Sequence, residues 1–112
     1  VIKLNYKPVS VNQVWQGRRF KTDIYHKYEK DLLLILPALT PPPPPYIVII
    51  EFGMSKLSDI DNPIKPFLDI LQKKYKINDR DIYEMNVKKT IVKKGEEFIG
   101  FKINQTTQNK NQ

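Results

Sequence analysis

The sequence predicts an α/β (α+β) fold, a mixed β-sheet with two main helices in the order βαβαββ. Three observations carry this reading. Tyr46-Ile47-Val48-Ile49-Ile50-Glu51-Phe52 is an almost unbroken apolar, β-branched run, the mark of a central strand covered on both faces. One segment on each side of it spaces its apolar residues as a helix does. After the second helical segment, two stretches of strand character flank Lys94-Gly95 and read as an antiparallel hairpin.

The elements follow in order. Ile2 to Lys7 alternates, with Ile2, Leu4 and Tyr6 on one face, and Pro8 ends this first strand. Val9 to Arg19 is polar, turn-rich and basic and reads as a loop. Thr22 offers an N-cap with Asp23 in the favourable first turn, opening a helix over Asp23 to Leu36. Its apolar stripe is Ile24, Tyr25, Tyr28, Leu32, Ile35 and Leu36. Pro37 stops it, and Pro41 to Pro45 form a stiff connector, a composition that also occurs in SH3-type ligands.

Past the central strand, Asn62 is placed to cap a second helix with Pro63 at its first position. The buried stripe of that helix is Ile64, Phe67, Leu68, Leu71 and Tyr75, and Pro66 falls within the first turn. Asn78-Asp79-Arg80-Asp81 is a turn, followed by strands Ile82 to Val92 and Glu97 to Ile103. Asn104 to Gln112 has no apolar residue and reads as a disordered polar tail. The organisation expected is one domain over residues 1–103 and a tail over 104–112.

Composition narrows the function classes. The 112 residues carry 19 Lys and Arg against 12 Asp and Glu, a formal charge of +7. A small basic domain most often meets a polyanion, nucleic acid above all; a lysine-rich soluble surface has the same composition. The chain has no cysteine, which excludes a disulfide scaffold, thiolate zinc sites and a cysteine nucleophile. A single histidine, His26, excludes histidine-rich metal sites. No apolar run approaches the ~20 residues that span a bilayer, so no membrane association is expected. Val1-Ile2-Lys3 has no secretory pattern, and a cytoplasmic location is the expectation.

The chemistry is concentrated in the acids after the central strand. Asp59 and Asp61 lie two apart; in an extended backbone they point the same way, outside the carboxyl end of the strand where open α/β sheets place ligands. Asp79 or Asp81 can return to that point after the second helix. Converging carboxylates need a cation, and hard oxygen ligands select Mg²⁺ or Mn²⁺. Lys65, four residues after Asp61, projects toward the same carboxylates and suits the charge on a phosphate being cleaved. Spacing alone equally allows Asp61 and Asn62 to cap a helix and Asp79 and Asp81 to populate a turn.

Two stretches resemble the RusA-like Holliday-junction resolvases, a family widespread in phages and prophages. One is Pro8-Val9-Ser10-Val11-Asn12-Gln13-Val14-Trp15 with Gly17-Arg18-Arg19 and Tyr25, similar to the family's P-x-S-x-N loop and basic stretch. The other is Asp59-Ile60-Asp61-Asn62-Pro63-Ile64-Lys65, then Asn78-Asp79-Arg80-Asp81-Ile82, similar to its D-x-D-N-x-x-K helix start and later aspartate turn. The resemblance implies a homodimeric, divalent-metal-dependent endonuclease that cuts branched DNA, phage- or prophage-encoded and working inside the host cell. It implies Asp59, Asp61 and Asp79 as catalytic metal ligands and Lys65 as the catalytic lysine, with Mg²⁺ or Mn²⁺ as cofactor. Asn12, Trp15, Arg18, Arg19 and Lys21 become the DNA-binding residues, with Trp15 placed to stack on a base or to pack in the core. Asn78 stands where many members carry a fourth acid, and Pro41 to Pro45, Pro63 and Pro66 depart from the family pattern. A catalytically inactive nucleic-acid-binding or assembly protein on the same fold is the alternative.

Overall fold

The computed structural model describes residues 1–18 and 20–107. In chain order it runs β1 (Ile2–Leu4), β2 (Trp15–Gln16), β3 (Phe20–Lys21), α1 (Asp23–Ile35), β4 (Tyr46–Met54), α2 (Ile64–Tyr75), β5 (Ile82–Ile91) and β6 (Phe98–Gln105). Two short 3₁₀ turns, Val11–Gln13 and Asp79–Asp81, precede β2 and β5. The fold is mixed α and β, as expected. Where a plain loop was expected after Pro8, there is a 3₁₀ turn and a small β2–β3 hairpin.

The main sheet has the order β1-β6-β4-β5. β4 pairs parallel with β5 through the α2 crossover and antiparallel with β6, which pairs antiparallel with β1. The turn at Lys93–Glu96 closes as expected, with Glu96 N–H donating to the Lys93 carbonyl and Gly95 at φ 92°. The strands on either side of it are not a hairpin: β4 lies between them. Ile99 and Phe101 are fully buried and alternate with Gly100 and Lys102, so β6 needs a neighbour on each side and takes β1 and β4. β5 is left at the edge.

Both helices cover one face of the sheet. Val48, Ile50 and Phe52 of β4 and Ile99 and Phe101 of β6 share that face and meet Tyr25, Tyr28 and Leu32 of α1 and Phe67, Ile70 and Leu71 of α2. Phe67 stands edge-on between Phe52 and Phe101, with ring centroids 6.0 and 5.6 Å away. Each such side chain, fully buried, is worth about 1.5–3 kcal/mol. The opposite face carries Ile47, Ile49 and Glu51, only half-buried, so the expected cover on both faces of the central strand is confined to one.

Helix ends show which local signals act. The Thr22 hydroxyl accepts the Tyr25 N–H at 3.1 Å, as its N-cap position predicts. Ile24 and Ile35, placed on the buried stripe by spacing, are exposed; the stripe that packs is Tyr25, Tyr28, Leu32 and Leu36. α2 begins at Ile64 with Pro63 in the cap position and no side-chain cap, so Asn62 does not cap it. At the C-terminus β6 continues through Gln105, and the Thr106 N–H donates to the Pro45 carbonyl at 2.9 Å. The expected tail from Asn104 is therefore sheet and buried backbone up to Thr106, and residues 108–112 lie outside the described residues. No helix among the described residues is long and apolar enough to cross a membrane.

Candidate functional site

At the carboxyl end of β4 the chain turns through Ser55–Ser58 and Asp59–Asn62 into α2. The N-terminal loop folds across this end. The Val11 N–H donates to the Asn62 carbonyl at 2.8 Å, joining the two stretches that carry the family resemblance. Between them opens a cavity of about 480 Å³, walled by Ser10 and Gln13 from the loop, Ser55 and Asn62 from the β4–α2 segment, and Lys7 and Lys94. Glu97 reaches the same cavity. Its carboxylate is held below the ordinary range, first by its own N–H and then by Gly95 N–H and the charges of Lys7 and Lys94.

Local hydrogen bonds fix the conformation of the loop at this place. Ser10 accepts the Asn12 N–H and Gln13 reaches back to the Ser10 N–H at 3.1 Å, a reciprocal capping box around the 3₁₀ turn. Thr22 N–H donates to the Val14 carbonyl at 2.8 Å, which holds the β2–β3 hairpin against the loop. Gly17, at φ 71°, starts the hairpin turn, a left-handed backbone that glycine adopts without strain. The hairpin projects Trp15 at 51% exposure and Phe20 at 73%. Lys21 Nζ lies 5.5 Å from the Trp15 ring centroid and 4.6 Å from that of Tyr25.

Four of the five expected DNA-binding residues stand on the 3₁₀ turn and the hairpin that follows it. Asn12 is exposed on the 3₁₀ turn, Arg18 is exposed at the hairpin tip, and Trp15 and Lys21 are cross-strand partners. Trp15 is not a core residue. Arg19 lies outside the described residues.

The expected catalytic set is divided. Lys65 Nζ lies 3.0 Å from Asp69 and 3.8 Å from Asp79. That brings two of the expected residues together. The Lys65 ammonium is held above its ordinary range, first by Asp69 and then by Asp79. Asp61 is not its partner, because Asp61 precedes α2 and the spacing of four residues has helical geometry only toward Asp69. Asp59 and Asp61 do not lie in an extended segment either: the Asn62 N–H closes a turn on the Asp59 carbonyl at 3.2 Å, so alternation does not align their carboxylates. Among the described residues no three His, Cys, Asp or Glu side chains gather as a metal-holding group. The arrangement of Asp59, Asp61 and Asp79 therefore does not fit the shared metal expected of them. Asp79 instead borders a small groove with Leu68, Tyr83, Glu84 and Met85.

Sequence reasoning did not single out Lys7, Ser55, Ser58, Lys94 or Glu97 as site residues. Their only signal was position: Lys7 just after β1, Ser55 and Ser58 at the carboxyl end of β4, and Lys94 and Glu97 in the segment before β6. Among known proteins, no family model matches the chain and no curated protein does.

Proposed function

We propose that this chain binds branched DNA, using the cavity at the end of β4 and the basic, aromatic hairpin beside it. The observation that supports the reading is the Val11–Asn62 hydrogen bond, which ties the Pro8–Trp15 loop to the Asp59–Lys65 segment at one cavity, with Trp15 exposed and Lys21 over its ring on the adjoining hairpin. Lys7, Lys21, Arg18 and Lys94 meet backbone phosphates, and Asn12 and the cavity's hydroxyl and amide groups orient the strand at the branch. Trp15 offers a face on which an unpaired base stacks, worth about 1–3 kcal/mol.

The resemblance adds hydrolysis of the phosphodiester with Mg²⁺ or Mn²⁺, in a homodimer, with Lys65 at the scissile phosphate. A divalent ion held by Asp59, Asp61 and Asp79 would supply activated water and charge neutralisation in that chemistry, but the arrangement of these carboxylates does not fit such an ion. The separation of the three carboxylates favours a second reading, binding without cleavage on the same fold.

A mobility-shift assay in EDTA, comparing a four-way junction with duplex of the same length, tests the binding. Preference for the junction, weakened by Trp15→Ala, is expected; equal affinity for both overturns the branched-DNA reading. A nicking assay in Mg²⁺ then separates the two readings. The endonuclease reading expects Asp61→Asn to abolish nicking and to leave binding in EDTA unchanged or up to about tenfold tighter, since one repelling charge is removed. It expects Lys65→Ala to weaken binding slightly and cleavage sharply. Junction binding by the unaltered chain with no nicking selects the binding-only reading, and full nicking by Asp61→Asn removes that residue from the catalytic set.

A further inference from the structure

β5 is a ten-residue strand whose inner edge is paired with β4 and whose outer edge has no strand beside it among the described residues. Long unpaired edges are templates for another strand unless something blunts them. This one is also apolar on the helix-facing side, where Tyr83 is 44% and Met85 47% exposed beside Leu68 of α2. On the opposite side it carries Glu84 and Lys88, in register with Ile47 and Glu51 of β4. Neither Glu84 nor Lys88 has an ion-pair partner among the described residues. Four residues apart on an extended strand, they are separated by about 13 Å and do not reach each other.

We infer that the outer edge of β5 pairs antiparallel with β5 of a second copy of this chain, centred on Asn86, making one continuous eight-stranded sheet. The register follows from charge and face. Residues opposite each other in a sheet point to the same side, so only registers that pair odd with odd and even with even keep both helix layers on one face. Centred on Asn86, the pairing sets Glu84 beside Lys88 of the second copy, twice by symmetry, and Met85 beside Val87 on the helix side. A shift of one residue in the centre to Val87 sets Glu84 against Thr90 and Lys88 against Asn86, and loses both ion pairs. Parallel, in-register pairing sets Glu84 on Glu84 and Lys88 on Lys88, which opposes association. The two-fold antiparallel register is the one that satisfies the edge backbone, the apolar side and the charges together. A homodimer as such belongs to the RusA-like reading; its surface and register rest on β5 alone.

The test uses the whole chain without DNA or metal, so its outcome is independent of the junction-binding assay. Sedimentation equilibrium from micromolar to millimolar concentration is expected to show a dimer. Glu84→Lys and Lys88→Glu are each expected to weaken it about tenfold or more, and the two together to restore it. A chain monomeric throughout, or a double variant no tighter than the single ones, overturns the inference. Should a charge variant fold poorly, a cysteine probe keeps the question open to decision, because the chain has no cysteine of its own. Asn86→Cys places two thiols across the symmetry axis, within the Cα separation a disulfide accepts. It is expected to cross-link on mild oxidation far faster than Thr90→Cys, whose opposite residue is Ile82. Equal rates for the two overturn the register.

Discussion

The Asn62 carbonyl accepts the Val11 N–H at 2.8 Å, and Asn62 lines the cavity rather than capping α2. The residue therefore joins two distant parts of the chain through its backbone. This arrangement sets it apart from Thr22, which does cap a helix.

The contrast gives a stability prediction. Thr22→Ala is expected to cost about 1–2 kcal/mol, since the hydroxyl accepts the Tyr25 N–H and donates to the Gln13 carbonyl. Asn62→Ala is expected to stay within about 0.5 kcal/mol. Urea denaturation of both variants checks this, and an Asn62→Ala loss as large as that of Thr22→Ala would restore the helix-cap role.

Gly53 and Phe98 make a second pair. A Cβ on Gly53 would collide with Cδ1 and Cε1 of Phe98, so the ring lies over the glycine on the open face of the sheet. Gly53→Ala is expected to destabilise by about 1–3 kcal/mol. In a double-mutant cycle the penalty is expected to shrink when Phe98→Ala removes the ring. Simple additivity of the two losses would show that the ring is not what excludes a side chain there.

Asp31 links stability to pH. It accepts from Lys27 at 2.6 Å and from the Tyr6 hydroxyl, and these bonds hold its carboxyl below the ordinary 3.8. Tyr6 is pushed up to about 12, first by burial and then by Asp31. A carboxylate whose folded pKa is depressed stabilises above its unfolded value and loses that contribution as pH falls through the folded one. The difference in Tm between the unaltered chain and Asp31→Asn is expected to be largest near neutrality and to close as pH falls below 3.8. Thermal melts by circular dichroism across that range measure it; a difference independent of pH would show that the carboxylate's charge plays no part.

Salt tests the basic surface. If about six phosphates are neutralised, junction affinity is expected to fall by ~10³ or more between 50 and 200 mM salt. Replacing Arg18 and Arg19 together with Ala is expected to lower the slope by about two. Titrations at several salt concentrations give the slope directly, and an unchanged slope would move the contact away from the hairpin tip.

What the sequence determined by itself was whatever short-range physics decides. The β-branched run of β4, the Tyr25–Tyr28–Leu32 spacing of α1, the Thr22 cap and the turn at Gly95 are each specified by neighbouring residues, and each stands where it was expected. Tertiary structure decided the pairings. The Lys94-Gly95 turn formed, yet β5 and β6 were drawn apart because burying Ile99 and Phe101 required β6 to lie between β1 and β4. The same holds at the site. Spacing rules for Asp59, Asp61 and Lys65 presume one regular backbone beneath all three, but Asp59 and Asp61 lie in a turn and Lys65 in α2, so Lys65 found Asp69 along its own helix and Asp79 across the fold. Periodicity is a property of regular backbone, and the turn at Asp59–Asn62 interrupts it just where the site residues stand.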